Sequence, residues 1–354
     1  MSDDCVKLTT YFGERARAGG AFLADALVDV YARHALRTSL VLRGVEGFGA
    51  HHRLRTDRLL SLSEDLPMVS VAVDRPDRID AALADVRALP RFTGLITLER
   101  ARMLTDGVDV APAAAGDTKL TVYLGRHERL AGRPAAAAVV DLLHRHGVAG
   151  ATVLLGVDGT AHGVRRRARF FARNADVPVM VLAVGDRDRI AAALPAVHAA
   201  HDRALVTLES VQICKRDGQT VAAPRPLADR DPSGLPVHQK LTVFASEQSR
   251  HDGRPLHRAL IRALRAEGAA GATSLRGIWG YHAGHSPHGD TLWQLRRRVP
   301  VVVSIIDTPQ QIQRWYPTVD RLTAATGLVT SEMVPAVHLA GEAPGGVRLA
   351  ARPT

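Results

Sequence analysis

Ala149-Gly-Ala-Thr-Val-Leu-Leu-Gly-Val-Asp-Gly159 reads as an entry turn, a short apolar strand and a glycine-punctuated exit into a polar loop. Ala270-Gly-Ala-Thr-Ser-Leu-Arg-Gly-Ile-Trp-Gly280 is a near copy, and Arg37-Thr-Ser-Leu-Val-Leu-Arg-Gly-Val-Glu-Gly47 is a third. Working outward, Lys7-Leu-Thr-Thr-Tyr11 aligns with Lys119-Leu-Thr-Val-Tyr123 and Lys240-Leu-Thr-Val-Phe244, and the register holds without a gap as far as Gly47, Gly159 and Gly280. Between the first and third copies it persists to the end, setting Pro67 on Pro300, Asp74 on Asp307, Thr97 on Thr330 and Glu99 on Glu332; the middle copy has Pro178, Thr207 and Glu209. Self-similarity on this scale marks a repeat whose period is too long for a solenoid, so each copy is domain-sized.

Each copy carries the same elements. Lys-Leu-Thr-x-Tyr/Phe starts a strand by alternation and β-propensity. Pro134 and Pro255 stand at helix entrances, Ala138–His146 has apolar residues at helical spacing, and Gly147 and Gly268 supply stops. The Ala-Gly-Ala-Thr strand then gives way to a long loop. Third strands are expected at Met68–Val73, Val179–Val184 and Val301–Ile306, second helices at Asp77–Leu89, Asp188–His198 and Gln310–Leu322, and fourth strands at Leu95–Glu99, Leu205–Glu209 and Leu328–Glu332. The order is βαββαβ, so the fold class is α+β built from three ferredoxin-like units. Their bounds are 5–104, 118–214 and 239–338, joined by linkers 105–117 and 215–238 that do not read as structure, with a flexible tail over 341–354.

Val177-Pro-Val-Met-Val-Leu-Ala-Val184 is almost continuously apolar, the pattern of a strand buried on both faces. Two helices cover only one face of a four-stranded sheet. Burying a large apolar side chain is worth about 1.5–3 kcal/mol, so the three open faces are expected to close on one another as an intramolecular pseudo-trimer.

Composition narrows the partners. The chain of 354 residues is 46% apolar and carries a formal charge of +10, but only 4% of it is aromatic, which leaves few stacking platforms for nucleic acid. No specific nucleic-acid partner is expected. The two cysteines, Cys5 and Cys214, give no disulfide framework or metal-finger spacing. With neither a leader pattern nor a membrane-length apolar run, the expected location is cytoplasmic.

Gly44-Val-Glu-Gly-Phe-Gly-Ala-His51, Leu59-Leu-Ser-Leu-Ser-Glu-Asp-Leu-Pro67 and Gly94-Leu-Ile-Thr-Leu-Glu99 resemble the PII-like domain-of-unknown-function 190 family, and the resemblance extends over all three copies. It implies ferredoxin-like protomers that form a trimer, with an extended T-loop between strands two and three. It also implies regulation rather than catalysis: a nucleotide or small anionic ligand in clefts between protomers, and loops that engage a partner such as a membrane transporter or channel. Such a chain is a monomer that contains its own trimer. The phosphate-holding Gly-rich turn of PII proteins is replaced here by Pro90-Arg-Phe-Thr-Gly94, Ala200-His-Asp-Arg-Ala204 and Ala324-Ala-Thr-Gly327, so ATP binding does not carry over and no cofactor is assigned.

Candidate ligand-binding residues are the shared Lys7, Lys119 and Lys240 and the shared Arg17, Arg129 and Arg250. The lysines also fit exposed strand-end charges paired with Glu99, Glu209 or Glu332. Gly44, Gly156 and Gly277 suit a backbone bend. The loops diverge. His51 and His162 fall in aligned loops where the third copy has Gly284, and Arg165 opens a basic run; with Tyr281 these are the candidate partner-loop residues. His282, His285 and His288 are candidate metal ligands, which makes a metal-dependent enzyme one alternative function. An RNA-binding ferredoxin-like protein is another, and would need Tyr11, Tyr123 and Phe244 exposed on a sheet. No nucleophile elbow, phosphate-binding P-loop or dinucleotide fingerprint is present, so no enzyme activity is expected.

Overall fold

The computed structural model describes residues 4–49, 54–56, 65–104, 116–161, 163–166, 177–200, 204–231, 234, 236–282, 286–289 and 299–339. The first unit comprises β1 (Asp4–Gly13), α1 (Leu23–Arg33), β2 (Thr38–Phe48), β3 (Pro67–Asp74), α2 (Pro76–Arg87) and β4 (Leu95–Leu104). The second comprises β5 (Asp117–Gly125), α3 (Ala135–Arg145), β6 (Gly150–Leu155), β7 (Asp158–Ala161), β8 (Pro178–Asp186), α4 (Arg187–Ala200) and β9 (Leu205–Arg216). The third comprises β10 (His238–Ser246), α5 (Leu256–Glu267), β11 (Ala272–Arg276), β12 (Trp279–His282), β13 (Pro300–Asp307), α6 (Pro309–Leu322), β14 (Leu328–Val334) and β15 (Ala336–Leu339).

Within each unit the strands pair antiparallel in the order fourth, first, third, second. Alternation along β1 sends Val6, Leu8 and Phe12 towards α1 and α2, where they meet Leu23, Leu27, Tyr31, Ile79 and Leu83. The opposite face carries Cys5, Lys7, Thr9 and Tyr11. The Val177–Val184 run is buried except for half-buried Pro178 and Leu182, in keeping with its apolar pattern, and the third strand of the first unit is buried along its whole length. Its second face meets residues of the other units: Leu40, Val69 and Val71 share a core with Tyr123, Leu154, Met180 and Leu275. A further shared core joins Val184, Ile213, Phe244, Val302 and Leu328.

Two rounds of strand exchange tie the units together. In the first, the segment after each second strand crosses to a neighbour. Gly44–Phe48 pairs with β11 of the third unit, β7 pairs with β2 of the first, and β12 pairs with β6 of the second. In the second round, each fourth strand or its continuation pairs on the other side. Arg102–Leu104 joins β9, Gln212–Lys215 joins β14, and β15 joins β4. Both rounds close on themselves, so each unit's four strands gain a neighbour's strand at either edge. Covering edges in this way removes the sites at which sheets pair with foreign chains.

Three features differ from the expectation. What reads as the start of a loop is the crossing arm, and fourth strands read as ending at Glu99 and Glu209 run on to Leu104 and Arg216. The second connection also holds structure. Asp217 and Gly218 both have positive φ and turn the chain back so that Gln219–Thr220 pairs with Lys215–Arg216. Beyond the turn, the carbonyls of Ala222 and Pro224 accept hydrogen bonds from Tyr316 and Gln313 of α6. Most of the first connection (105–115) and the tail (340–354) lie outside the described residues. Both cysteines are buried and free, and burial pushes each thiol up to about 12. No helix among the described residues is long and apolar enough to cross a membrane.

Candidate functional site

The inward strand faces bring Lys7, Lys119 and Lys240 together with Glu99, Glu209 and Glu332, all six buried. Register sets each lysine opposite the glutamate of its own unit. The closest contact in each case is nevertheless with another unit. Lys7 Nζ donates to Glu209 Oε2 at 2.6 Å, Lys119 Nζ donates to Glu332 Oε2, and Lys240 Nζ donates to Glu99 Oε2 at 2.5 Å. Lys119 and Lys240 also lie 3.1 and 3.3 Å from Glu209 and Glu332. Alternating charges thus run from unit to unit around the centre. The Thr97 hydroxyl donates to Glu99 Oε1 at 2.9 Å.

The electrostatics follow from this geometry. Burial by itself drives the Glu99 carboxyl up, but Lys240, then Lys119 and Lys7, outweigh it and bring the pKa to about 2. Glu209 is likewise lowered, against its burial, by Lys119 and Lys7. Burial opposes the charge on Lys119 and Lys240, yet their glutamates hold both ammonium groups above the ordinary lysine value. One oxygen of each of the three glutamates lies within 4.8 Å of the others, close enough to hold a metal ion. Three ammonium groups already neutralise them, and a lysine holding its proton is no metal ligand. The ring is therefore a device for joining units.

The second candidate is the junction where each crossing arm lies on the first helix of the neighbouring unit. Gly156 donates its N–H to Pro178 of its own unit, and the next N–H, that of Val157, donates to Val41 of the first unit. Gly277 and Ile278 repeat this with Pro300 and Val153. A Cβ on Gly47, Gly159 or Gly280 would stand 2.7, 2.2 or 2.2 Å from a backbone carbonyl of the neighbouring unit. The two glycines of each Gly-x-x-Gly thus mark the crossing and the landing of the arm.

The three junctions differ in chemistry. At the first, Arg165 reaches Asp25 Oδ1 at 2.5 Å and Asp29 Oδ1 at 2.7 Å on α1, and also Asp158 of its own arm. Those carboxylates, led by Asp158, keep the guanidinium charged. At the second, Tyr281 is buried with its ring edge-on to His144 of α3, the centroids 4.8 Å apart. At the third, Arg258 of α5 stands 3.6 Å from the buried carboxylate of Glu46.

The remaining sequence candidates fall in different places. Arg17, Arg129 and Arg250 are exposed on short hairpins leading into the first helices, where Arg17 and Arg250 donate to the carbonyls of Gly20 and Gly253. They do not meet the buried lysines. The lysines are paired with the glutamates named, but they are buried rather than exposed at strand ends. His282 is buried, its ring centroid 6.5 Å from that of His288, whose Nδ1 lies 2.9 Å from the Ser286 carbonyl. His51, His162 and His285 lie outside the described residues. Tyr123 and Phe244 are buried and Tyr11 is half-buried in the shared cores, so these aromatics form no open stacking platform. Asp25, Asp29 and Asp158 escaped the sequence reading, although Asp25 and Asp29 stand four apart on one helix face, a spacing that marks a shared surface.

The family model DUF190, described as "Uncharacterized ACR", matches three times, over residues 5–103, 117–213 and 238–336. A UPF0166 protein of Aquifex aeolicus is 34% identical over 99 residues, spanning 28% of this chain and 92% of that relative. A UPF0166 protein of Methanocaldococcus jannaschii is 26% identical over 89 residues, 25% of this chain and 82% of the relative. Both relatives are therefore about one unit long. Aspartate kinase from Synechocystis overlays with a TM-score of 0.28 at 13% identity, over 95% of this chain and 44% of its own, which is too loose to carry an argument.

Proposed function

The chain belongs to the DUF190 family in three tandem copies, and on that premise we propose that it is a PII-like regulatory protein rather than an enzyme. In this reading three ferredoxin-like units close into an intramolecular pseudo-trimer in the cytoplasm. A small anionic ligand or nucleotide binds at the junctions between units, and the loops launched by the arms act on a partner, a membrane transporter or channel being the class the resemblance implies. One observation carries the reading: the arm that launches each loop is a strand in the neighbouring unit's sheet and lies against that neighbour's first helix. A ligand seated there touches two units and the root of a loop at once. Occupancy is thereby coupled to loop position, since a ligand shifts an equilibrium only through contacts that differ between its states.

The test is thermal unfolding of the full chain with a panel of nucleotides and small anions at matched ionic strength. A ligand at a hundred times its Kd stabilises the folded state by about 2.7 kcal/mol, readily seen as a rise in Tm. If no compound in the panel raises the Tm, the ligand-binding reading fails and the assembly is a scaffold.

A further inference from the structure

The register that superposes Lys7, Lys119 and Lys240 superposes Asp25 and Asp29 of α1 on Ala137 and Asp141 of α3, and on Arg258 and Arg262 of α5. Each pair stands four residues apart, so both members share one helix face. Arg165 contacts both Asp25 and Asp29, which identifies this face as the one turned to the arm. The same place in the fold therefore carries two acidic residues in the first junction, one in the second and two basic residues in the third.

The first junction is already occupied. Asp25, Asp29 and Asp158 surround Arg165, whose guanidinium contacts all three carboxylates. At the second, Asp141 is taken by Arg133 at 2.6 Å, and Tyr281 fills the space beside His144. At the third, Glu46 from the arm faces Arg258, and Arg262 follows one turn along α5 with no ion-pair partner among the described residues. Arg254 on the hairpin before α5 adds a further exposed positive charge. A guanidinium presents a fork of donors that matches phosphate oxygens in pairs.

We propose that the chain binds a phosphate-bearing small anion at one junction only, between α5 and the first arm, and that Arg165 is a built-in occupant closing the junction between α1 and the second arm. This rests on the reading of the junctions as ligand sites. It adds that the three have divided their roles: one holds a ligand, one is latched by its own side chain and one is filled by aromatic rings.

The experiment is calorimetric titration of the full chain with inorganic pyrophosphate and, separately, ATP at matched ionic strength, repeated on R262A, R262K and R165A. The expected stoichiometry is one anion per chain. R262A weakens binding at least tenfold, as befits a lost charged hydrogen bond, R262K falls between it and the wild type, and R165A, which loses the contacts to Asp25 and Asp29 across the first junction, unfolds at a lower Tm than the wild type, an unchanged Tm overturning the latch. Pyrophosphate and ATP binding alike assigns recognition to the phosphates, whereas ATP alone assigns part of it to the nucleoside. Three anions per chain, or unchanged binding in both Arg262 variants, overturns the single-site proposal while leaving the junctions as ligand sites. No binding to the wild type overturns both.

Discussion

Removing one ammonium from the central ring leaves a carboxylate uncompensated where water does not reach. Lys119→Met is therefore expected to cost about 3–5 kcal/mol, as for a broken buried pair, and the double change with Glu332→Leu should recover part of it. Urea denaturation of the single and double variants measures this; a cost under about 1 kcal/mol would class the ring with exposed surface pairs. Acid probes the same charges. Glu99 sits at about 2 in the folded chain against an ordinary 4.5, so its stabilisation is present above the ordinary value and drains away as pH falls from there towards 2. Lys119 and Lys240, held above 10.5, lose their contribution only as pH rises through their still higher folded values. Stability from the ring should thus be flat between about pH 5 and 10, with an acid limb that shrinks in Glu99→Gln; equal acid limbs in the two proteins would remove Glu99 from this role. The six residues were legible as repeats, and a pairing of the lysines with Glu99, Glu209 or Glu332 on a neighbouring strand was open to the sequence, though only as an exposed strand-end contact. The cross-unit contacts were not legible, because no local pattern says which units adjoin.

The arms were hidden for a different reason. β7 is only Asp158-Gly-Thr-Ala161, too short for a period to register and carrying a glycine, which sequence rules assign to loops. The glycine is there because the neighbouring strand is close: a Cβ at position 159 would meet the Ser39 carbonyl at 2.2 Å. Gly159→Ala should force the arm off the first unit, at a cost of about 1–3 kcal/mol typical of overpacking. Hydrogen exchange reads this directly. The amide of Thr160, bonded to Ser39 Oγ, should lose protection while those in β8 keep theirs. Unchanged protection at Thr160 would mean that the backbone gives way elsewhere and that glycine is not required. By contrast, the hairpin after β9 was written plainly. Asp217-Gly218 is the two-residue turn that favours positive φ at both positions, although the proline-rich segment around it, with Pro224, Pro226, Pro232 and Pro236, has the composition of a linker.

At the scale of the molecule, the question is what the connections contribute once the units have met. The relatives are about one unit long, and the closing contacts among the described residues are made by strands. Two rounds of exchange, the shared apolar cores and the charge ring all lie outside segment 105–115. Fusion supplies effective concentration, in the millimolar range for short flexible linkers, and it fixes which unit stands beside which. That fixed order is what allows the three junctions to differ, since in an assembly of identical chains Asp25 and Arg258 could not occupy equivalent places. Light scattering should find one particle of 38.0 kDa; a particle three times as heavy would mean that closure occurs between chains. A site-specific protease sequence placed in segment 105–115 then separates assembly from fusion. After cutting, the first unit should remain bound to the other two at micromolar concentration, and the two pieces should part only in denaturant. If they separate under native conditions, the connection holds the assembly together and the interfaces do not.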